Sequence, residues 1–209
     1  MKTGTRLLAA GLGVSLVLAA SAMALADKET KQAKLAKAAP QFTLLDTTGQ
    51  ERSLADYKGK VVVLEWINPK CPFVQNCYKS KAIQEAFLKA SQTSKGLVWL
   101  AINTTPNTSA EENNNWIRKH GLKYPILLDS KGEVARLYNA KTTPHMFVID
   151  REGVLRYHGA IDNNKLSDKS RDEVFNYVTN AITQMAAQET VSPDYVKSYG
   201  CSVRYKKSW

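Results

Sequence analysis

The sequence predicts an α/β fold: a central mixed β-sheet flanked by helices on both faces, preceded by an N-terminal β-hairpin. Three observations carry this. Short apolar runs rich in β-branched residues, such as VVVLEW (61–66), GLVWLAIN (96–103) and MFVID (146–150), read as strands buried on both sides. Longer segments with helical spacing alternate with them, the order that builds parallel strands through crossover helices. MFVID and VLRYH (154–158) flank Arg151-Glu152-Gly153, a hairpin turn, so the sheet also has an antiparallel part.

The elements follow in order. FTLLDTTGQERSL (42–54) alternates around a Thr-Thr-Gly turn and reads as the entry hairpin. VVVLEW is the first core strand. Pro72, acceptable at the first helical position, opens a helix to about Gln92 with Val74, Tyr78, Ile83, Phe87 and Leu88 as its apolar stripe. After the strand at 96–103, Ser109 with Glu111 and Glu112 starts a helix that Gly121 stops. PILLD (125–129) is a short strand and GEVARLYN (132–139) a short helix; after the hairpin, an amphipathic helix covers about 167–188. The tail, 189–209, has no clear period and carries Cys201.

Residues 1–26 stand apart: Lys2 and Arg6, an apolar run from Leu7 to Ala20, then Ala22-Met23-Ala24 and Ala24-Leu25-Ala26, each an A-x-A cleavage pattern. This is the layout of a secretory signal peptide, so the chain is expected to be exported, periplasmic or secreted, and to touch a membrane only transiently through that segment. Residues 27–39, polar and Lys/Ala-rich, read as a linker, which leaves 40–188 as the folded domain. The net charge is +10, and +8 once Lys2 and Arg6 leave with the signal peptide. No aromatic-plus-basic motif accompanies the excess, so a nucleic-acid partner is not expected.

The three cysteines are Cys71, Cys77 and Cys201. An exported protein meets an oxidising compartment where disulfides persist, and an odd count leaves at least one thiol unpaired or exchanging partners. Cys71 falls at the end of a core strand and the start of a helix, where unpaired backbone N–H groups and the helix dipole stabilise a thiolate. Lys70 adds a positive charge beside it. Six helical steps to Cys77 rise about 9 Å and turn the side chain away, beyond disulfide reach unless the first turn unwinds. Cys201 is therefore the better partner for Cys71, with Cys77 still a candidate.

APQFTLLDTTGQERSLADYKGKVVVLEW, NPKCPFV and TTPHMFVIDREGVLRYHGAID together resemble the thioredoxin-like superfamily, and within it the redoxin or AhpC/TSA branch. The tail YGCSVRY is also similar to the C-terminal end of some members. The resemblance implies a thioredoxin-like fold with Cys71 as nucleophile. It implies a cis bond at Thr143-Pro144, packed against that cysteine. It also implies that Glu65, in the strand before, is a buried carboxylate that takes a proton during disulfide exchange; flanked by Leu64 and Trp66, it should titrate above the usual range. Trp66, Asn68, Pro72, Thr143, Pro144 and His145 are the expected substrate-facing residues.

Two departures qualify this. The thioredoxin C-x-x-C is absent, since Val74 stands three after Cys71, so Cys77 or Cys201 must resolve. The peroxiredoxin P-x-x-x-T/S-x-x-C is absent too: Leu64 and Asn68 hold those places before Cys71, and Lys70 and Val74 before Cys77. The leading function is an exported thiol–disulfide oxidoreductase acting on protein or small-molecule disulfides with a thiol reductant and no cofactor. The alternatives are a thiol peroxidase, a copper-binding protein using two cysteines with His145, and an inactive redoxin-fold binding module. His120 and His158 have no ligand-like partners in sequence and read as surface residues.

Overall fold

A computed structural model describes residues 32–205; the signal-peptide reading of 1–26 and the start of the expected linker lie outside the described residues. In chain order the elements are β1 (Thr43–Leu45), β2 (Glu51–Ser53), β3 (Val62–Ile67), α1 (Pro72–Lys79), α2 (Ala82–Thr93), β4 (Val98–Asn103), α3 (Ala110–His120), β5 (Ile126–Leu128), α4 (Glu133–Leu137), β6 (Thr142–Thr143), β7 (His145–Ile149), β8 (Leu155–Gly159), α5 (Tyr177–Ala186), β9 (Tyr195–Val196) and β10 (Cys201–Ser202). The main sheet has six strands in the order β5-β4-β3-β7-β8-β9. β3, β4 and β5 are parallel, β7 and β8 run antiparallel, and β9 is parallel to β8. β1–β2 form the expected hairpin as a separate small sheet.

Strand alternation divides the core in two. Val63, Ile67, Ala101, Met146 and Val148 face α1, α2, α5 and Trp116 of α3. Val62, Leu64, Trp66, Ile102, Phe147 and Ile149 face α4, Phe42 and Leu54 of the hairpin region, and Val203 of the tail. Among the described residues, no helix is long and apolar enough to cross a membrane.

Four sequence expectations change. The single helix expected over 72–92 is two helices broken at Ser80–Lys81, with Lys81 in the left-handed region at φ 65°. The stripe itself contains the reason. Tyr78 to Ile83 is a five-residue step, which on one continuous helix would put the two on different faces; the break lets both be buried, while Leu88 is exposed.

The helix expected over 167–188 is only Tyr177–Ala186. The stretch before it is rich in Asn, Asp and Ser, whose side chains bond local backbone in place of a helical ladder. Asn164 Oδ1 accepts from the amides of Asp168 and Lys169, and Asn176 Oδ1 accepts from Thr179 to begin α5.

Residues 189–205 of the tail pack on the domain and supply β9 and β10. The stretch 32–39, read as linker, also lies on the domain: the amides of Ala33 and Ala36 donate to the carbonyls of Leu137 and Leu155, and Ala39 is buried.

Candidate active site

Cys71 is the residue at which β3 hands over to α1. It takes the N-cap position, with extended backbone (φ −80°, ψ 123°) and Pro72 directly after it. Its amide donates to Asn68 O at 2.9 Å, and Asn68 Oδ1 in turn accepts the Lys70 amide at 2.8 Å, so Asn68 shapes the approach to the thiol. The Cys71 thiol donates to the carbonyl of Thr143 at 3.1 Å. The Thr143–Pro144 bond is cis, and both residues are buried. The resemblance's placement of this turn against the cysteine thus agrees with the geometry.

The third wall is the tail. β10 pairs antiparallel with β6, with Cys201 opposite Thr143 and Ser202 opposite Thr142. This sets Cys201 beside Cys71, close enough that each thiol perturbs the other. All three cysteines are free thiols. Burial pushes the Cys71 thiol up. Donation to the thiolate, from the Cys201 thiol first, then from the Thr143 hydroxyl and the amides of Val74 and Cys201, outweighs it and brings Cys71 below the ordinary cysteine value. The Thr143 hydroxyl is buried without a partner while Cys71 is a thiol, and is available to a thiolate. Cys201 moves the opposite way, pushed to about 11 by burial and by the hydrogen bond and charge of Cys71. One member of the pair is set to ionise and the other to keep its proton.

Cys77 is a buried thiol on the core side of α1. Burial, reinforced by the charges of Asp162, Glu65 and Cys71, pushes it up to about 12. Its sulfur lies 3.7 Å from the Tyr199 hydroxyl, which donates to Asp162 Oδ1 at 2.6 Å. Glu65 is fully buried. Its Oε1 accepts from Tyr78 at 2.8 Å, and its Oε2 from Trp99 at 2.8 Å and Tyr124 at 3.2 Å. Burial raises it to about 7 despite those three donors. No hydrogen bond joins it to either thiol; it sits behind α1, in the network that holds the helix.

Two expected substrate-facing residues point elsewhere. Trp66 alternates to the opposite face of the sheet, where its Nε1 donates to Thr104 Oγ1 at 3.1 Å. His145 follows it there. Its Nδ1 accepts the Lys141 amide at 3.2 Å, its ring packs on Phe147 at 4.4 Å, and burial lowers it to about 3. A copper site joining His145 to the thiols therefore has no geometric basis. His120 and His158, read as surface residues, are both half-buried, with the His120 ring against Trp116 at 4.1 Å and the His158 ring stacked on Phe147. Sequence reasoning missed Tyr199 and Asp162, the anchor of the tail, and Gly200, its point of closest approach. The run Tyr-Gly-Cys before the end was the available signal.

An open cleft of about 250 Å³ adjoins the Cys71 loop, lined by Asn68, Lys70, Pro106, Asn107 and Glu112 among others. A larger cavity, about 730 Å³, lies at the other end of β3 near Asp150, Arg156 and Thr190, and is lined by no thiol.

Comparison with known proteins agrees with this geometry. The thiol-disulfide oxidoreductase ResA of Bacillus cereus is 30% identical over 128 residues, 61% of this chain and 69% of its own length. A hypothetical protein from Sinorhizobium meliloti superposes with a TM-score of 0.73 at 27% identity, covering 84% of this chain and 96% of its own. A putative thiol:disulfide interchange protein DsbE from Chlorobium tepidum gives 0.51 at 25% identity, over 61% and 85%. The AhpC/TSA family model matches residues 35–158, more than half of the sequence. With a strand-to-helix cysteine set against a cis Thr–Pro turn on a mixed six-stranded sheet, this chain belongs to the AhpC/TSA family and has the thioredoxin-like fold.

Proposed function

We propose that this protein is an exported thiol–disulfide oxidoreductase in which Cys71 is the nucleophile and Cys201 the resolving thiol. The observation that carries this reading is the pair itself: two free thiols that meet at Thr143, one through its carbonyl and one opposite it on β10, and that are shifted in opposite directions. The similarity to ResA supports the reaction class. Cys71 thiolate attacks one sulfur of a substrate disulfide; that S–S bond breaks and the other sulfur leaves as a thiolate, which is protonated. Cys201 then gives up its proton and attacks Cys71 in the mixed disulfide. The Cys71–Cys201 disulfide forms and the second substrate sulfur leaves as a thiol. An external thiol reductant returns the two electrons. Residues 1–26 are assigned to export.

Insulin reduction with a dithiol donor, followed by peptide mapping of the oxidised protein, tests this. Turnover that vanishes in Cys71→Ser, with a Cys71–Cys201 peptide in the oxidised chain, is the expected result. A Cys77–Cys201 peptide, or undiminished turnover in Cys71→Ser, would remove the assignment. Peroxide should be consumed far more slowly than disulfide. Asn68 stands where a peroxidase places its hydroxyl, and its amide oxygen is already engaged by the Lys70 amide.

A further inference from the structure

Cys71 is 1% exposed. A thiol so covered cannot reach a substrate disulfide until something moves, and the tail, with Tyr199 and Cys201 in the same packed cluster, is part of its cover. β10 pairs with β6 over only two residues. Beyond that pairing, Val203 is buried on the core, the Tyr205 hydroxyl donates to Ala140 O at 3.3 Å and the Arg136 guanidinium lies over the Tyr205 ring. The Val203 amide donates to Lys141 O at 3.0 Å, Tyr199 donates to Asp162 at 2.6 Å, and the Tyr199 ring faces Phe73 at 6.3 Å. The main sheet does not depend on any of these, because β10 and β6 form a sheet of their own.

The tail also shows what the β6 edge accepts: an extended antiparallel strand with its cysteine opposite Thr143, the residue whose carbonyl meets the Cys71 thiol. Building on the nucleophile assignment above, we propose that the tail is an exchangeable strand. An extended, disulfide-bearing segment of a protein substrate takes the place of β10 on β6, main chain to main chain, and delivers its sulfur to Cys71. The tail is closed in the resting enzyme and opens to admit substrate. Its return expels the substrate strand and brings Cys201 onto the mixed disulfide, so resolution and release are one event. Backbone pairing gives such a site affinity with little demand on side chains. Two strands cannot hold one edge at once, so binding competes with closure.

The test uses the full-length chain in a Cys201→Ser background, which stops at the mixed disulfide. The probe is a synthetic extended peptide whose single cysteine is disulfide-linked to thionitrobenzoate. Attack by Cys71 at the peptide sulfur breaks the S–S bond and releases coloured thionitrobenzoate. With the tail intact, the release rate should level off at high peptide concentration, limited by tail opening. Tyr199→Phe loosens the anchor while keeping the ring, and Val203→Pro removes the amide bonded to Lys141. Each should raise that plateau severalfold, and in the trapped peptide complex the Val203 amide of the parent should lose its hydrogen-exchange protection. A plateau unchanged in both variants, or undiminished Val203 protection in the complex, overturns strand exchange alone. No thionitrobenzoate release from any variant removes Cys71 as nucleophile, and the proposal with it.

Discussion

A Cβ atom built on Gly200 would lie 2.0 Å from the carbonyl oxygen of Thr143. That carbonyl accepts the Cys71 thiol, so the residue before Cys201 must be glycine for the tail to close on the reactive turn. Gly200 also has φ +130°, a conformation that side-chain-bearing residues rarely adopt, at a cost of about 1–3 kcal/mol. Gly200→Ala should therefore detach β10 and leave the main sheet intact. Oxidation should then give much less Cys71–Cys201 disulfide and more adduct with added small thiols, measured by intact mass. A variant that forms the disulfide as completely as the parent would contradict this.

The Cys201 thiol supplies the largest single stabilisation of the Cys71 thiolate, working against burial. Cys201→Ala removes it, and the Cys71 titration followed by thiolate absorbance should move to higher pH. Cys71 should also become slower to alkylate at neutral pH. An unmoved titration would assign the lowering to the Thr143 and amide contacts alone.

Cys77, raised to about 12, should stay thiol and unreactive throughout the neutral range. Brief iodoacetamide labelling of the native reduced protein should modify Cys71 well before Cys77. Cys77→Ala should keep disulfide-reducing activity within about twofold while losing roughly 1–2 kcal/mol of stability from the emptied core position. Loss of turnover in a well-folded Cys77→Ala would return it to the mechanism.

Glu65 should write its titration into the stability curve. Its value in the fold, about 7, lies above the ordinary 4.5, so the fold favours its protonated form. That contribution is fully present below pH 4.5 and is lost as pH rises through 7, by about 3 kcal/mol. Denaturant midpoints of the parent, compared with Glu65→Gln, should fall across this window and level off above it. Equal pH dependence in both proteins would assign the change to other groups.

Much of the fold was legible because burial writes itself into composition. The β-branched runs could only be interior strands, and the Gly153 turn had to reverse the chain. What escaped was set by longer-range balance. The break at Ser80–Lys81 shows only as a five-residue step in an otherwise regular stripe. The shortened α5 reflects polar side chains winning local backbone bonds, which hydrophobic spacing does not register. At the site, the place of Cys71 at the strand-to-helix turn was readable from the residues, and the cis Thr143–Pro144 turn and the burial of Glu65 through the resemblance. Trp66 and His145 were misplaced because neighbours along a strand face opposite sides. The pairing of Cys201 with the β6 edge depends on residues far apart in sequence, and the closely packed Tyr-Gly-Cys turn was its only local trace.

The chain between the two thiols contains β4, β5, β7, β8 and β9, five of the six strands of the main sheet. Once joined, Cys71 and Cys201 would close a covalent ring of about 130 residues and tie up most of the domain. By the chain-entropy account, a ring of that size removes about 5 kcal/mol of freedom from the denatured chain. Redox state and resistance to melting are then linked quantities: each electron pair delivered to a substrate leaves behind a sturdier molecule, and each reduction relaxes it. Whatever recharges this protein must work against that added cohesion.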